Sequence, residues 1–204
     1  LDRHRATQRW LTSRVSEPDV ARYRDLSQRL IAAIGRTTGA QTIVDSSKYA
    51  ARALALNRIF PGRVKVLWLS RRPAGLLTSF AKQHRGEQPA KSASQTAAYF
   101  LGVSASARAA ELMLGRQVLR VAYEELCADP AGAIARIGRW LDLDTSGVAQ
   151  RLRRGESFDV GHLRTANRLR NEGSVRWRAP SQTAPPTSRA ADLIMRAGAM
   201  AIGA

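Results

Sequence analysis

Val66-Leu67-Trp68-Leu69-Ser70-Arg71-Arg72-Pro73-Ala74-Gly75-Leu76-Leu77-Thr78-Ser79 is the stretch on which the fold of this chain turns. The apolar run Val64 to Leu69 predicts a strand, and Pro73 sits at the first position of a helix that runs through Leu76, Leu77, Phe80 and Ala81. The free N–H groups and positive dipole end of that helix favour an anion, and Arg71 leaves the strand beside them. Ser79 follows eight residues later, so two helical turns set its hydroxyl on the same general face as the guanidinium, where both can reach one phosphate group. In the plainer alternative, Arg71 and Arg72 merely solvate a helix start and Ser79 packs.

Upstream, Thr42, Ile43 and Val44 are β-branched and apolar without alternation, which predicts a strand buried on both faces of a parallel sheet. Ser46 and Ser47 then cap a helix from Tyr49 to about Phe60, closed by Pro61-Gly62. Strand, helix and strand in such a short span make a βαβ unit. Earlier still, Ser16, Glu17, Pro18 and Asp19 start a helix carrying Val20, Tyr23, Leu26, Leu30, Ile31 and Ile34, with Gly35 ending it.

Downstream of the loop Arg85 to Lys91, an alanine-rich helix is expected over Ser94 to Leu114 and a third strand over Val118 to Ala122. Asp129-Pro130 opens a helix with Ile134, Ile137, Trp140 and Leu141 on one face, stopped by the acidic turn Asp142 to Asp144. Regularity falls away at Gly155. Residues 155–188 read as an irregular, arginine-rich loop (Arg164, Arg168, Arg170, Arg176, Arg178) and a proline-bearing linker, and residues 189–204 as a C-terminal helix. With no internal repeat and no domain-sized linker, residues 1–204 read as a single domain.

Of the 33 basic residues only four are lysine, and the formal net charge is +17, which implies an anionic partner: a nucleotide, a nucleic acid or a membrane surface. The single cysteine, Cys127, excludes an internal disulfide and a cysteine-rich metal site, and fits a reducing cytoplasm. His4, His84 and His162 lie without carboxylates at ligand spacing, so no metal is expected. No apolar stretch reaches the ~18 residues of a spanning helix.

In an open α/β sheet, ligands bind beyond the carboxyl ends of the strands, so the residues after each expected strand carry the chemistry. They are Asp45-Ser46-Ser47-Lys48, then Ser70-Arg71-Arg72-Pro73, then Tyr123-Glu124-Glu125-Leu126. Lys48 can neutralise a transferring or leaving anionic group, or stand solvated at a helix start. Asp45 can accept a proton, hold Ser47 or cap the helix. Ser46 and Ser47 can donate to a ligand or act as N-caps.

These segments resemble the sulfotransferase family. Val66 to Ser79 resembles its 3′-phosphate-binding segment, with Arg72 in place of the usual acid or asparagine, and Asp45-Ser46-Ser47-Lys48 with Arg52-Ala53 resembles the signature of a bacterial branch. Val121 to Leu126 with Asp129-Pro130 is similar to a later strand and turn, and His162, Asn167 and Arg170 with Gly173 and Val175 to a loop that folds over the nucleotide. The resemblance implies a three-layer α/β/α fold with a central parallel sheet of the P-loop-NTPase-like kind. It also implies a 3′-phosphoadenosine-5′-phosphosulfate donor and transfer of its sulfuryl group to a hydroxyl or amine of a small molecule, lipid or carbohydrate. Arg71, Ser79, Arg170, Arg168 and Ser46 would bind the donor, and Lys48, Asp45 and Ser47 would serve catalysis. The family's first strand and its 5′-phosphosulfate loop find no counterpart in residues 1–41, so the chain is expected to be truncated at its N-terminus and its activity to depend on what is missing. Two other classes remain open: a basic module on a nucleic-acid backbone, which lacks an aromatic platform, and a kinase-like nucleotide-binding domain, which lacks its glycine-rich loop.

Overall fold

A computed structural model describes residues 17–81, 90–159, 173–177 and 188–203. In chain order the elements are α1 (Glu17–Thr38), α2 (Ala50–Ile59), β1 (Val66–Ser70), α3 (Pro73–Ala81), α4 (Ala93–Leu114), a 3-10 turn (Gly115–Gln117), β2 (Val118–Ala122), α5 (Tyr123–Ala128), α6 (Pro130–Leu141), α7 (Ser146–Arg153), β3 (Ser157–Asp159), β4 (Ser174–Arg176) and α8 (Arg189–Ile202). Helix takes 68% of the described residues, and β1 and β2 pair in a small parallel sheet. The protein is thus a mixed α/β chain in which helices dominate. Two compact units form, one from Leu1–Val66, Ser94–Val118 and Leu193–Ala204, the other from Leu67–Ala93 and Leu119–Asp192.

The first unit is built on the alanine-rich faces of α2 and α4. Leu54, Ala110 and Leu114 are buried together, with Ala50, Ala53, Val66 and Val118 packed against them. Small residues let the helices approach closely, and each buried leucine contributes roughly 1.5–3 kcal/mol. On α8, Met195 is fully buried, and a side chain at Gly198 would strike Leu101 of α4. The turn between α2 and β1 is gauged by one amide. Gln117 Nε2 donates to Asn57 Oδ1 and to the Val64 carbonyl, both at 2.8 Å, tying that turn to the residue just before β2.

In the second unit β1 alternates, with Trp68 half-buried and Leu67 and Leu69 exposed. Arg120 of β2 lays its guanidinium over the Trp68 ring at 4.5 Å. Arg136 of α6 ties the ends of this unit's elements together, donating to Glu125 at 2.5 Å and to the Arg120 carbonyl. Asp129 caps α6 by accepting from the Gly132 N–H at 2.9 Å, and Asp142 ends it in the left-handed region at φ 60°.

Several expectations change. Thr42 to Val44 forms no strand: residues 43–49 are irregular and Val44 is 87% exposed. A short strand exists only through a neighbour's hydrogen bonds, and none reaches this one, so the expected strand–helix–strand unit over 42–69 does not form. The parallel crossover runs instead from β1 through α3 and α4 to β2. Helix α1 passes through Gly35 and stops at Thr38, because Gly39 at φ +66° takes the left-handed position that ends a helix, with its N–H on the Gly35 carbonyl at 2.9 Å. The stretch after Gly155 is more regular than expected, since β3 and β4 pair antiparallel with Phe158 opposite Val175 and both half-buried. Neither α5 nor α7 was legible as a helix. The strand Val118–Ala122 and the helix starts at Pro73, Pro130 and Arg189 lie where the sequence places them.

Candidate anion site and the aspartate loop

In the second unit the chain leaves β1 at Ser70, and Arg71-Arg72 lead into α3 with Pro73 first. The Arg72 carbonyl accepts from the N–H groups of Gly75 (3.1 Å) and Leu76 (3.4 Å), which closes the first turn. The Arg72 N–H donates to Glu124 Oε1 at 2.9 Å, fixing the strand exit against the start of α5. No acid stands in the first turn of α3, so the positive end of the helix is not neutralised from within.

Among the described residues Arg71 pairs with no carboxylate. Its guanidinium lies over the Tyr123 ring, 4.6 Å from the centroid, and its Nε passes so close to Gly75 that a Cβ there would stand 2.7 Å away. Only glycine leaves this lane open. The side chain therefore folds back along α3 by one turn, and Ser79 lies four residues beyond Gly75, on the same face one further turn along, with side chains tilted back toward the helix start. The Ser79 hydroxyl is half-buried and makes no hydrogen bond to another described residue, whereas Thr78 bonds back to the Ala74 carbonyl at 3.0 Å. A stacked cation, a helix whose own first turn carries no acid and a hydroxyl unbonded among the described residues suit a phosphate, although the Glu124 carboxylate stands on the Arg72 N–H at the same helix start. A hydrogen bond to Cys127, burial and the neighbouring thiol push the Tyr123 phenol up, although Arg71 pulls it down. The phenol thus stays protonated, and the ring serves as a platform.

In the first unit, the irregular residues 43–49 hold the other expected group. Asp45 Oδ1 accepts from the Ser47 N–H at 2.9 Å and Oδ2 from Arg52 Nε at 2.5 Å. Burial alone would raise the carboxyl, but the Ser47 hydrogen bonds and the bond and charge of Arg52 outweigh it and hold Asp45 below the usual carboxylate range. Arg52 in turn donates to the Tyr23 hydroxyl at 2.6 Å. Of the roles the sequence left open for Asp45, holding Ser47 is the one seen. The helix cap is Tyr49, which makes no side-chain cap, so neither Asp45, Ser46 nor Ser47 caps α2. Ser46, Ser47 and Lys48 are exposed just ahead of that helix start.

The expected residues that fall among the described ones can thus be placed. In one unit Arg71 precedes α3 and lies against Gly75, with Ser79 one turn further along the helix, and Asp45 to Lys48 form one loop in the other. Arg168 and Arg170, with His162 and Asn167, lie outside the described residues. Among the described residues no group of three or more His, Cys, Asp or Glu is placed to hold a metal ion, and no helix is long and apolar enough to cross a membrane. Sequence reasoning named Gly75, Tyr123 and Tyr23 but gave none of them a part in a site. The first two carried a signal, a glycine four residues before Ser79 and an aromatic at the exit of the third strand. Tyr23 carried none.

A profile of the sulfotransferase family matches residues 1–147. No curated protein and no solved structure matches the chain.

Proposed function

Because the chain belongs to the sulfotransferase family, we propose that it transfers a sulfuryl group from 3′-phosphoadenosine-5′-phosphosulfate to a hydroxyl or amine of a small molecule, lipid or carbohydrate. Family membership favours transfer chemistry over the nucleic-acid and kinase-like alternatives. The observation that carries the donor assignment is Arg71, a guanidinium without a described carboxylate partner, stacked on Tyr123 and lying in the lane that Gly75 leaves open. In this reading Arg71 forks onto the 3′-phosphate, the Ser79 hydroxyl donates to the same group, and Arg168 and Arg170 add further positive charge. The cytoplasm, with its reducing thiol pool, accords with the free Cys127.

The reaction would be an in-line displacement. The acceptor oxygen or nitrogen forms a bond to sulfur as the bond from sulfur to the 5′-phosphate oxygen breaks, and the acceptor proton leaves to solvent or a base. Charge spreads over the equatorial oxygens, so catalysis is mostly positioning and electrostatics. Lys48 would neutralise the departing 5′-phosphate, with Ser46 and Ser47 donating nearby. Asp45 is tied up by Ser47 and Arg52, so its part is to hold Ser47 in place rather than to take the proton.

Calorimetry with adenosine 3′,5′-bisphosphate tests the assignment. Wild type should bind saturably, and Arg71→Ala should bind about 30-fold more weakly or worse, the worth of a charge-assisted forked contact. Equal affinity in the two proteins would remove Arg71 from the site.

A further inference from the structure

Residues 43–49 belong to no helix or strand, so their conformation depends on side-chain bonds. Two such bonds run through Asp45, to the Ser47 N–H at 2.9 Å and to Arg52 Nε at 2.5 Å. Asp45 is only as fixed as Arg52. Arg52 sits in the first turn of α2 and spends a second donor, Nη1, on the Tyr23 hydroxyl at 2.6 Å, with its guanidinium carbon 6.0 Å from the Tyr23 ring centroid. Tyr23 belongs to α1 and lies 29 residues from Arg52 in sequence. One phenol therefore links the irregular loop to a 22-residue helix.

We infer that Tyr23 is a positioning residue which, through Arg52 and Asp45, sets where Ser46, Ser47 and Lys48 stand. The functional consequence rests on the donor reading above, whereas the relay itself stands on this geometry. A planar guanidinium is suited to the link, because its N–H groups point in fixed directions and bonding two partners at once leaves it a single orientation. The ordinary device for holding a helix entrance, a side-chain cap, is absent at Tyr49. Losing the Tyr23 bond should therefore loosen Arg52 on Asp45 before it loosens α1, whose i,i+4 pair of Asp25 and Arg29 and buried Val20 and Ser27 do not depend on that bond.

Tyr23→Phe in the full chain keeps the ring and deletes only the hydroxyl. The thermal midpoint should stay at the wild-type value. By carbon-detected NMR, the Asp45 carboxyl should titrate higher, back toward the ordinary aspartate range, and the Ser47 amide should exchange about tenfold faster, the worth of one hydrogen bond to a charged group. Adenosine 3′,5′-bisphosphate should bind about fivefold more weakly, and adding Arg52→Lys should give a combined loss smaller than the product of the two. An Asp45 titration and a Ser47 exchange rate unchanged in Tyr23→Phe would overturn the relay, whatever the affinity does. Should the bisphosphate fail to bind wild type, the donor reading falls, and the Asp45 and Ser47 signals still decide the relay.

Discussion

Arg71 and Arg52 are both arginines beside the start of a helix, yet their surroundings give them opposite uses. Arg52 sits on a carboxylate and a phenol oxygen, so its charge is compensated inside the protein. Arg71 sits over an aromatic face, 4.6 Å from the ring centroid, which engages the guanidinium without compensating its charge. A carboxylate partner makes an arginine a strut, whereas a ring partner leaves its charge uncompensated. The difference does not lie in the arginines. It is made by what the chain offers them, Asp45 in one unit and Tyr123 with Gly75 in the other.

The sharpest way to break this contrast after Arg71→Ala is Gly75→Ala. The new methyl would crowd Arg71 Nε, and because that side chain can swing away, the fold survives while the guanidinium leaves its lane. Stability should hold or rise by up to ~1 kcal/mol, since alanine is the better helix former. Bisphosphate affinity should fall about tenfold. A parallel loss of thermal midpoint and affinity would mean instead that Gly75 serves packing.

Replacing the platform should do less. Tyr123→Leu removes the π face and should weaken binding about threefold, in line with about 0.5–1 kcal/mol for an exposed cation–π contact, whereas Tyr123→Phe should stay within about twofold. Equal losses in the two variants would assign the effect to the phenol and its bond to Cys127.

The smallest effect belongs to the strut. Asp45 titrates below the usual range in the folded protein, so its contribution is fully present above the ordinary aspartate value of about 3.9 and fades as pH falls through the lowered folded value. Urea unfolding between about pH 5 and 2.5 should show wild type losing stability over that window and Asp45→Asn losing less. Added salt should shrink the gap, since the pair is partly exposed.

How much of this was legible in the sequence follows from how local each signal is. Pro73, Asp129-Pro130 and the short run Val118 to Ala122 act within a few residues, and their elements lie where they were expected. Thr42 to Val44 carries the same strand signal but finds no ladder, because pairing is a property of two segments and only one is written at that position. Arg71 and Ser79 were singled out together on helical period alone. Tyr123 beneath Arg71 and Tyr23 beneath Arg52 were not, since no periodicity joins residues 52 or 29 positions apart. The family profile spans the strand, the arginine, the serine and Tyr123 alike, and it is the structure that sets the ring beneath the guanidinium.

The double bond of Gln117 to Asn57 and Val64 reaches into protein engineering. Pro61, Gly62 and Arg63 are exposed, and an exposed turn of this composition is the usual choice for inserting an epitope or opening new termini. Here one side chain measures the span on both sides of that turn, so added residues would have to bulge outward and return to the same two acceptors. Grafts at Pro61–Arg63 should succeed only when their own ends lie as close together as those of the turn they replace.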